Sequence, residues 1–153
     1  METALETAGQ PVLGGTMAHE HDTFAMLADT AMQQRDKDAL RQYAPRLEEL
    51  AARDNHKLYL AIAQRAWGVA HRLAGEHAEA EARLKQALEL FEELEARWQI
   101  GRTLAELGEL ARARSNSEAA RDCFTQALAA FEALQAVPDM ERTREGLERE
   151  GNA

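Results

Sequence analysis

Apolar positions along the chain recur at helical steps. Ala80, Leu84, Ala87, Leu88, Phe91 and Leu94 follow one another at intervals of 4, 3, 1, 3 and 3, which keeps them on one face of an α-helix. The stretch before them, roughly 57–74, reads as a second helix with Gly75 as its left-handed stop. Sliding the chain by 40 residues reproduces this pattern. Gly68 falls on Gly108, Arg72 on Arg112, Ala80 on Ala120, Gln86-Ala87-Leu88 on Gln126-Ala127-Leu128, Phe91-Glu92 on Phe131-Glu132, Leu94 on Leu134 and Ala96 on Ala136. A shift of 41 in the other direction gives a weaker copy, with Ala39 on Ala80, Tyr43 on Leu84, Leu47 on Leu88 and Leu50 on Phe91.

Three copies of a two-helix unit are therefore expected, at about 21–55, 56–96 and 97–137. Ser115-Asn116-Ser117 takes the place of the turn glycine in the third copy, with Ser117 as the helix N-cap. Pro138 opens a last helix, in which Met140, Arg144 and Leu147 continue the first-helix pattern over 138–150 without a partner helix after it. That helix reads as a solvating C-terminal cap. Residues 1–20 carry Gly9, Pro11, Gly14 and Gly15 and no apolar period, so they read as a flexible arm before a helical domain at 21–150. The count is seven helices in three hairpins and a cap.

Composition agrees with this reading. Alanine (31), glutamate (20) and leucine (19) far outnumber valine and isoleucine (5 together), which favours helices over strands. One cysteine excludes an intramolecular disulfide. No stretch reaches the roughly 18–20 apolar residues of a membrane span, and the N-terminus lacks a basic region followed by an apolar one, so a cytoplasmic protein is expected. A net charge of −9 opposes docking on nucleic acid. Arginine and alanine enrichment fits a GC-rich bacterial source.

A glycine within a helix costs about 1 kcal/mol relative to alanine, so Gly68 and Gly108 at equivalent places need a compensating contact. The expectation is that they let the two helices of a hairpin approach closely, with Ala80, Ala87, Ala120 and Ala127 doing the same from the second helix. Trp67, Leu84, Phe91, Leu107, Phe124 and Phe131 then fill the space between hairpins.

The run Trp67-Gly68, Gly75, Ala80, Leu84, Ala87 and Leu88, followed by Leu107-Gly108, Ala120, Phe124, Ala127 and Leu128, resembles the tetratricopeptide repeat family. The resemblance covers about residues 22–150. The unit is longer than the family's usual one, and 97–134 looks like the long repeats of bacterial signal-transduction ATPases, nucleotide cyclases and transcription regulators. It implies an all-α, right-handed superhelix of stacked antiparallel hairpins whose concave face binds peptides or partner helices. Carried over residue by residue, that face takes Phe24, Ala28 and Ala31 from the first copy, Ile62, Arg65, Val69 and Arg72 from the second, and Arg102, Ala105, Glu109 and Arg112 from the third. The first copy departs from the pattern, with Leu27 where glycine is expected and Pro45-Arg46 in place of Gln-Ala, which suggests an N-terminal cap with a kinked second helix. The asparagines of the family's carboxylate clamp are replaced by Ala66, Val69, Glu106 and Glu109, so a chaperone tail is not the expected ligand.

The four arginines of that face either pair with the carboxylates of an acidic partner or balance nearby glutamates of this chain. Elsewhere the chemistry is sparse. His19-Glu20-His21-Asp22 reads as a polar linker rather than a metal site, because a flexible flank orients no imidazole. His71 and His77 read as surface residues, Cys123 as a partly buried filler, and Trp98 with Ile100 as a staple at the start of the third hairpin. Adjacent carboxylates such as Glu48-Glu49 and Glu92-Glu93 point in different directions on a helix, which suits solvated faces. No phosphate-binding glycine loop, catalytic triad spacing or HExxH motif occurs. The expectation is a noncatalytic module with no cofactor or metal that binds a protein or peptide in its groove. Its rivals are a self-associating homodimer and a small-molecule sensor with a pocket between hairpins.

Overall fold

The computed structural model describes residues 13–151, with side chains from 20 to 150. Among the described residues the chain forms seven α-helices and no strand: α1 (Leu13–Gln34), α2 (Lys37–Arg53), α3 (Lys57–Leu73), α4 (His77–Glu93), α5 (Arg97–Ala113), α6 (Ser117–Leu134) and α7 (Val137–Gly151). Each helix packs on the next, giving the hairpins α1–α2, α3–α4 and α5–α6 with α7 laid on α6. The odd-numbered helices also touch in series, α1 with α3, α3 with α5 and α5 with α7. This is an all-α solenoid of stacked hairpins. The arm expected over 1–20 is in part helix, because α1 begins at Leu13; residues 1–12 lie outside the described residues.

All six turns are built alike. A left-handed residue stands in each, at Arg35, Asn55, Gly75, Glu95, Ser115 and Gln135, with φ between 53° and 81°. The N–H of the following residue reaches back to a carbonyl five residues earlier at 2.8–3.0 Å, as in Asp36 to Ala31 and Gly75's neighbour Glu76 to His71. These bonds satisfy carbonyls that the helix end leaves unpaired. Only one of the six turns uses glycine, so the other five carry the modest steric cost of φ > 0 on an ordinary side chain. At the starts of helices the caps are Asp36 and Asn116, whose side chains each accept from a backbone N–H at 3.1 Å. Asn116, and not Ser117, therefore caps α6.

The turns fix the repeat at 40 residues throughout, and this corrects the register of the first copy. Leu40, Ala44, Leu47 and Ala51 are the buried row of α2, in the places of Ala80, Leu84, Ala87 and Phe91 of α4. Large and small residues have changed places, which is why a shift of 41 matched the letters better. On α1 the place of Gly68 belongs to Ala28, which is fully buried, while Leu27 is partly exposed. Pro45 lies on the exposed side of α2 and the helix runs unbroken through it. The carbonyl it leaves without a donor faces water there, which removes most of the cost of an interior proline.

Close approach at the glycines is visible directly. A Cβ on Gly68 would lie 2.6 Å from Leu84 Cγ, and one on Gly101 2.7 Å from the Phe131 ring. One on Gly108 would lie 2.8–2.9 Å from three atoms of the Phe124 ring. Ala80, Leu84, Ala87, Phe91, Ala120, Phe124, Ala127 and Phe131 are all buried, while Trp67 and Leu107 are half-buried. α7 is more than a solvating cap. A Cβ on Gly146 would lie 3.2 Å from the Phe124 ring, and Asp139, Thr143 and Glu150 are buried.

The Phe124 ring thus sits between glycines of α5 and α7 and has nowhere to retreat. Gly108→Ala is expected to lower stability by about 1–3 kcal/mol, and Tm by about 2–10 °C, despite alanine's better helix propensity. Adding Phe124→Leu should recover part of the loss. Thermal melts of the two single variants and the double variant check this, since unrelated effects would simply add.

Candidate functional site

The inner face is built by α1, α3, α5 and α7, and its side chains are mostly spoken for. α3 is buried on nearly every side, with Ala61 through Ala70 all buried except Trp67. Within it Arg65 is 1% exposed; its guanidinium donates to the Gln99 carbonyl and to Thr103 Oγ1, both at 3.3 Å, and stands over the Phe91 ring. Asp29 of α1 lies 3.8 Å from it and accepts two bonds from Arg102 of α5, at 3.0 and 3.4 Å. Burial pushes the Arg65 guanidinium well below the usual arginine range, to about 9, and the like charge of Arg102 adds to this while Asp29 and Glu106 oppose it.

Further along the same face, Arg72 of α3 donates to Glu106 of α5 at 3.3 Å. Glu109 draws three arginines: Arg112 of its own helix, Arg35 from the end of α1 at 3.6 Å and Arg149 of α7 at 3.7 Å. Arg112 also lies 3.8 Å from the buried Glu150 of α7. The chain's own carboxylates therefore occupy the arginines that the sequence placed on the concave face. Of the expected lining residues, Val69 is fully enclosed, and Arg65, 1% exposed, only borders the smaller hollow described below. Ala28 and Ala31 are likewise in the core formed by α1, α2 and α3. Phe24 packs toward α2, its ring 6.2 Å from that of Tyr43 and beneath Arg46.

Two hollows remain. The larger, about 230 Å³, opens between Met32 and Gln33 of α1, Arg35 of the turn after it, Arg72 of α3, Arg102, Ala105, Glu106 and Glu109 of α5, and Asp139, Arg142 and Thr143 of α7, over a floor that includes Phe124 and Phe131. The smaller, about 140 Å³, lies beside Ala25, Met26 and Asp29 of α1, Ile62 and Arg65 of α3, and Gln99 of α5. The Asp29–Arg102 pair stands between them. Of the residues carried over to the concave face, Arg72, Arg102, Ala105 and Glu109 border the larger hollow, and Ile62 and Arg65 the smaller. Sequence reasoning missed the contribution of α7. Continuing the 40-residue shift places Arg142 on Arg102, which would have found it.

The remaining candidates are structural. His21 is buried in α1 and lies 3.3 Å from the Leu50 carbonyl and 3.1 Å from Asp54, stacked on Tyr59, so it is part of a helix and not of a linker; the His19 side chain lies outside the described residues. The Tyr59 hydroxyl bonds Asp22, and burial followed by that bond pushes its phenol up to about 12. Cys123 is half-buried and burial raises its thiol, which disfavours the reactive thiolate. Trp98 donates to Asp139 of α7 at 2.9 Å and lies under Arg102, tying α5 to the last helix. Glu48 accepts from Trp67, Gln64 and Arg83, so it joins a side-chain network and is not merely solvated. Among the described residues no group of three or more histidine, cysteine, aspartate or glutamate side chains could hold a metal ion, and no helix is long and apolar enough to cross a membrane.

The family model described as tetratricopeptide repeat matches residues 51–133, more than half of the chain. No curated protein matches the chain.

Arg65 and Asp29 give a test of this face. Arg65→Met keeps the apolar stem, removes a costly buried charge and leaves Asp29 its bond to Arg102, so Tm is expected to stay or rise. Asp29→Asn leaves two arginines facing each other and should destabilise, by less than the roughly 3–5 kcal/mol of a fully buried pair because Asp29 is partly exposed. Between pH 10 and 12 the unfolded chain releases a phenol proton that folded Tyr59 still holds, so stability should fall as pH rises through that range. The fall should shrink in Tyr59→Phe, and denaturant melts across this range check it.

Proposed function

The chain belongs to the tetratricopeptide repeat family, whose repeats generally mediate contacts between proteins, and from that premise we propose that it is a noncatalytic interaction module docking a segment of a signalling or regulatory partner on its concave face. The observation that carries this reading is the pair of hollows along the inner helices, with half-exposed arginines at the rim of the larger one. Arg35 and Arg142 have 53% and 58% of their side chains exposed and reach past the carboxylates they accompany. An acidic segment suits them, because each guanidinium carries five N–H donors and can serve a second carboxylate. Met26, 70% exposed beside the smaller hollow, offers an apolar contact at the other end of the same strip. The partner lies over the ion pairs and does not thread beneath them, since Asp29–Arg102 and Arg35–Glu109 both join α1 to α5.

Arg35→Glu combined with Arg142→Glu is expected to weaken partner capture at least tenfold while circular dichroism stays helical. Arg83→Glu, on α4 away from this face, serves as the control. Proteins retained equally by both variants would place the docking surface elsewhere.

A second reading has its own support. Leu94 and Trp98 at the α4–α5 turn, and Leu134 and Val137 at the α6–α7 turn, are 37–52% exposed, and the Trp98–Asp139 bond holds these two turns together. An apolar edge of this kind can pair with its copy. Light scattering over a range of concentrations is expected to show reversible dimers if this edge is used, and Leu94→Glu with Leu134→Glu to abolish them.

A further inference from the structure

The larger hollow has the shape and wall of a ligand cavity as well as of a docking groove. Its two ends are fenced by ion pairs from α1 to α5, Asp29–Arg102 on one side and Arg35–Glu109 on the other. The fence posts are six residues apart on α1 and seven on α5, so the opening between them is about 9–10 Å along the helices. A compact molecule can enter, and a volume of about 230 Å³ exceeds the roughly 150 Å³ that holds a benzene ring.

The wall specifies what such a molecule must carry. Four guanidiniums face the hollow, those of Arg35, Arg72, Arg102 and Arg142, against three carboxylates, Glu106, Glu109 and Asp139. In a chain of net charge −9 this lining has one more cation than anion. The carboxylates are engaged already: Glu106 by Arg72, Glu109 by Arg35, Arg112 and Arg149, and Asp139 by Arg142 and the Trp98 indole. Donors are left over. Arg35 and Arg142, half-exposed at the rim, each have N–H groups beyond those their carboxylate contacts use. Arg72, 9% exposed and bonded to Glu106, adds a further positive charge to the wall. The apolar part of the lining is Ala105, half-buried, over Met32, Phe124 and Phe131, which are almost fully covered.

We propose that this hollow is a binding site for a small free carboxylic acid with an apolar body, of about ten heavy atoms, whose carboxylate pairs with Arg142 in the positive field of Arg35 and Arg72 while its body packs against Ala105. The site shares Arg142 with the proposed docking face, but its occupancy needs only the folded chain, so it is read without any partner.

Benzoate titrated into the isolated protein tests it by calorimetry and thermal shift. Saturable one-to-one binding is expected, with Tm rising with benzoate concentration. Benzyl alcohol, equal in shape but neutral, should not bind, and inorganic phosphate should bind more weakly than benzoate. Arg142→Gln, at a half-exposed position, should weaken benzoate about tenfold or more. Ala105→Leu should block it by filling the space, and if that variant does not fold, Arg142→Gln still decides. No binding of benzoate at 10 mM, equal binding of benzyl alcohol or phosphate, or unchanged affinity in Arg142→Gln would each overturn the assignment.

Discussion

Bare backbone pressed against bulky side chains sets the spacing of this solenoid. Leu84 lies on Gly68, Phe131 on Gly101, and Phe124 between Gly108 and Gly146. Each contact joins the second helix of a hairpin to an odd-numbered helix, and at Gly68, Gly101 and Gly108 a Cβ would come closer than 3.0 Å to a side-chain atom. Where glycine is absent, alanine does the same work, as at the fully buried Ala28, Ala61, Ala66 and Ala70. Packing this tight brings the odd-numbered helices into mutual contact, and only then can arginines on one reach carboxylates on another.

Those ion pairs complement what small residues cannot do. An alanine-lined contact is shallow and gives little directional preference, so helices sharing it are free to slide. A link such as Asp29–Arg102 breaks if one helix shifts by a turn, about 5.4 Å. Removing charges from water is costly, and the depressed Arg65 guanidinium shows that cost at the centre of the face. The pairs thus contribute more to where the helices stop than to how firmly the chain folds. They also explain why a protein with a large acidic excess has an inner surface with cations to spare.

Much of the candidate site was hidden from the sequence for a specific reason. Arg65, Arg72, Arg102 and Arg112 are visible as a helical column, but whether an arginine is free or paired depends on which carboxylate a distant helix brings. Asp29 and Arg102 are 73 residues apart, and no local pattern links them. Val69 and Ile62 occupy similar steps of the same helix, yet one is enclosed and the other borders a hollow. The role of α7 could have been read by extending the repeat one unit further, since Arg142 and Thr143 stand in the places of Arg102 and Thr103.

By itself the sequence determined the helical class, the hairpin order and the positions of closest approach, because these follow from local propensity and from a spacing that recurs along the chain. It even carried the family's mark in Trp67-Gly68 and Leu107-Gly108. Only the tertiary structure decided the register of the first repeat, where Leu40-Ala44-Leu47-Ala51 fills with reversed sizes the row that Ala80-Leu84-Ala87-Phe91 fills in the second. The total volume across a contact is what packing conserves, and that sum belongs to two helices at once. The same holds for the hollow beside Arg72: four helices enclose it, and none of them encodes it alone.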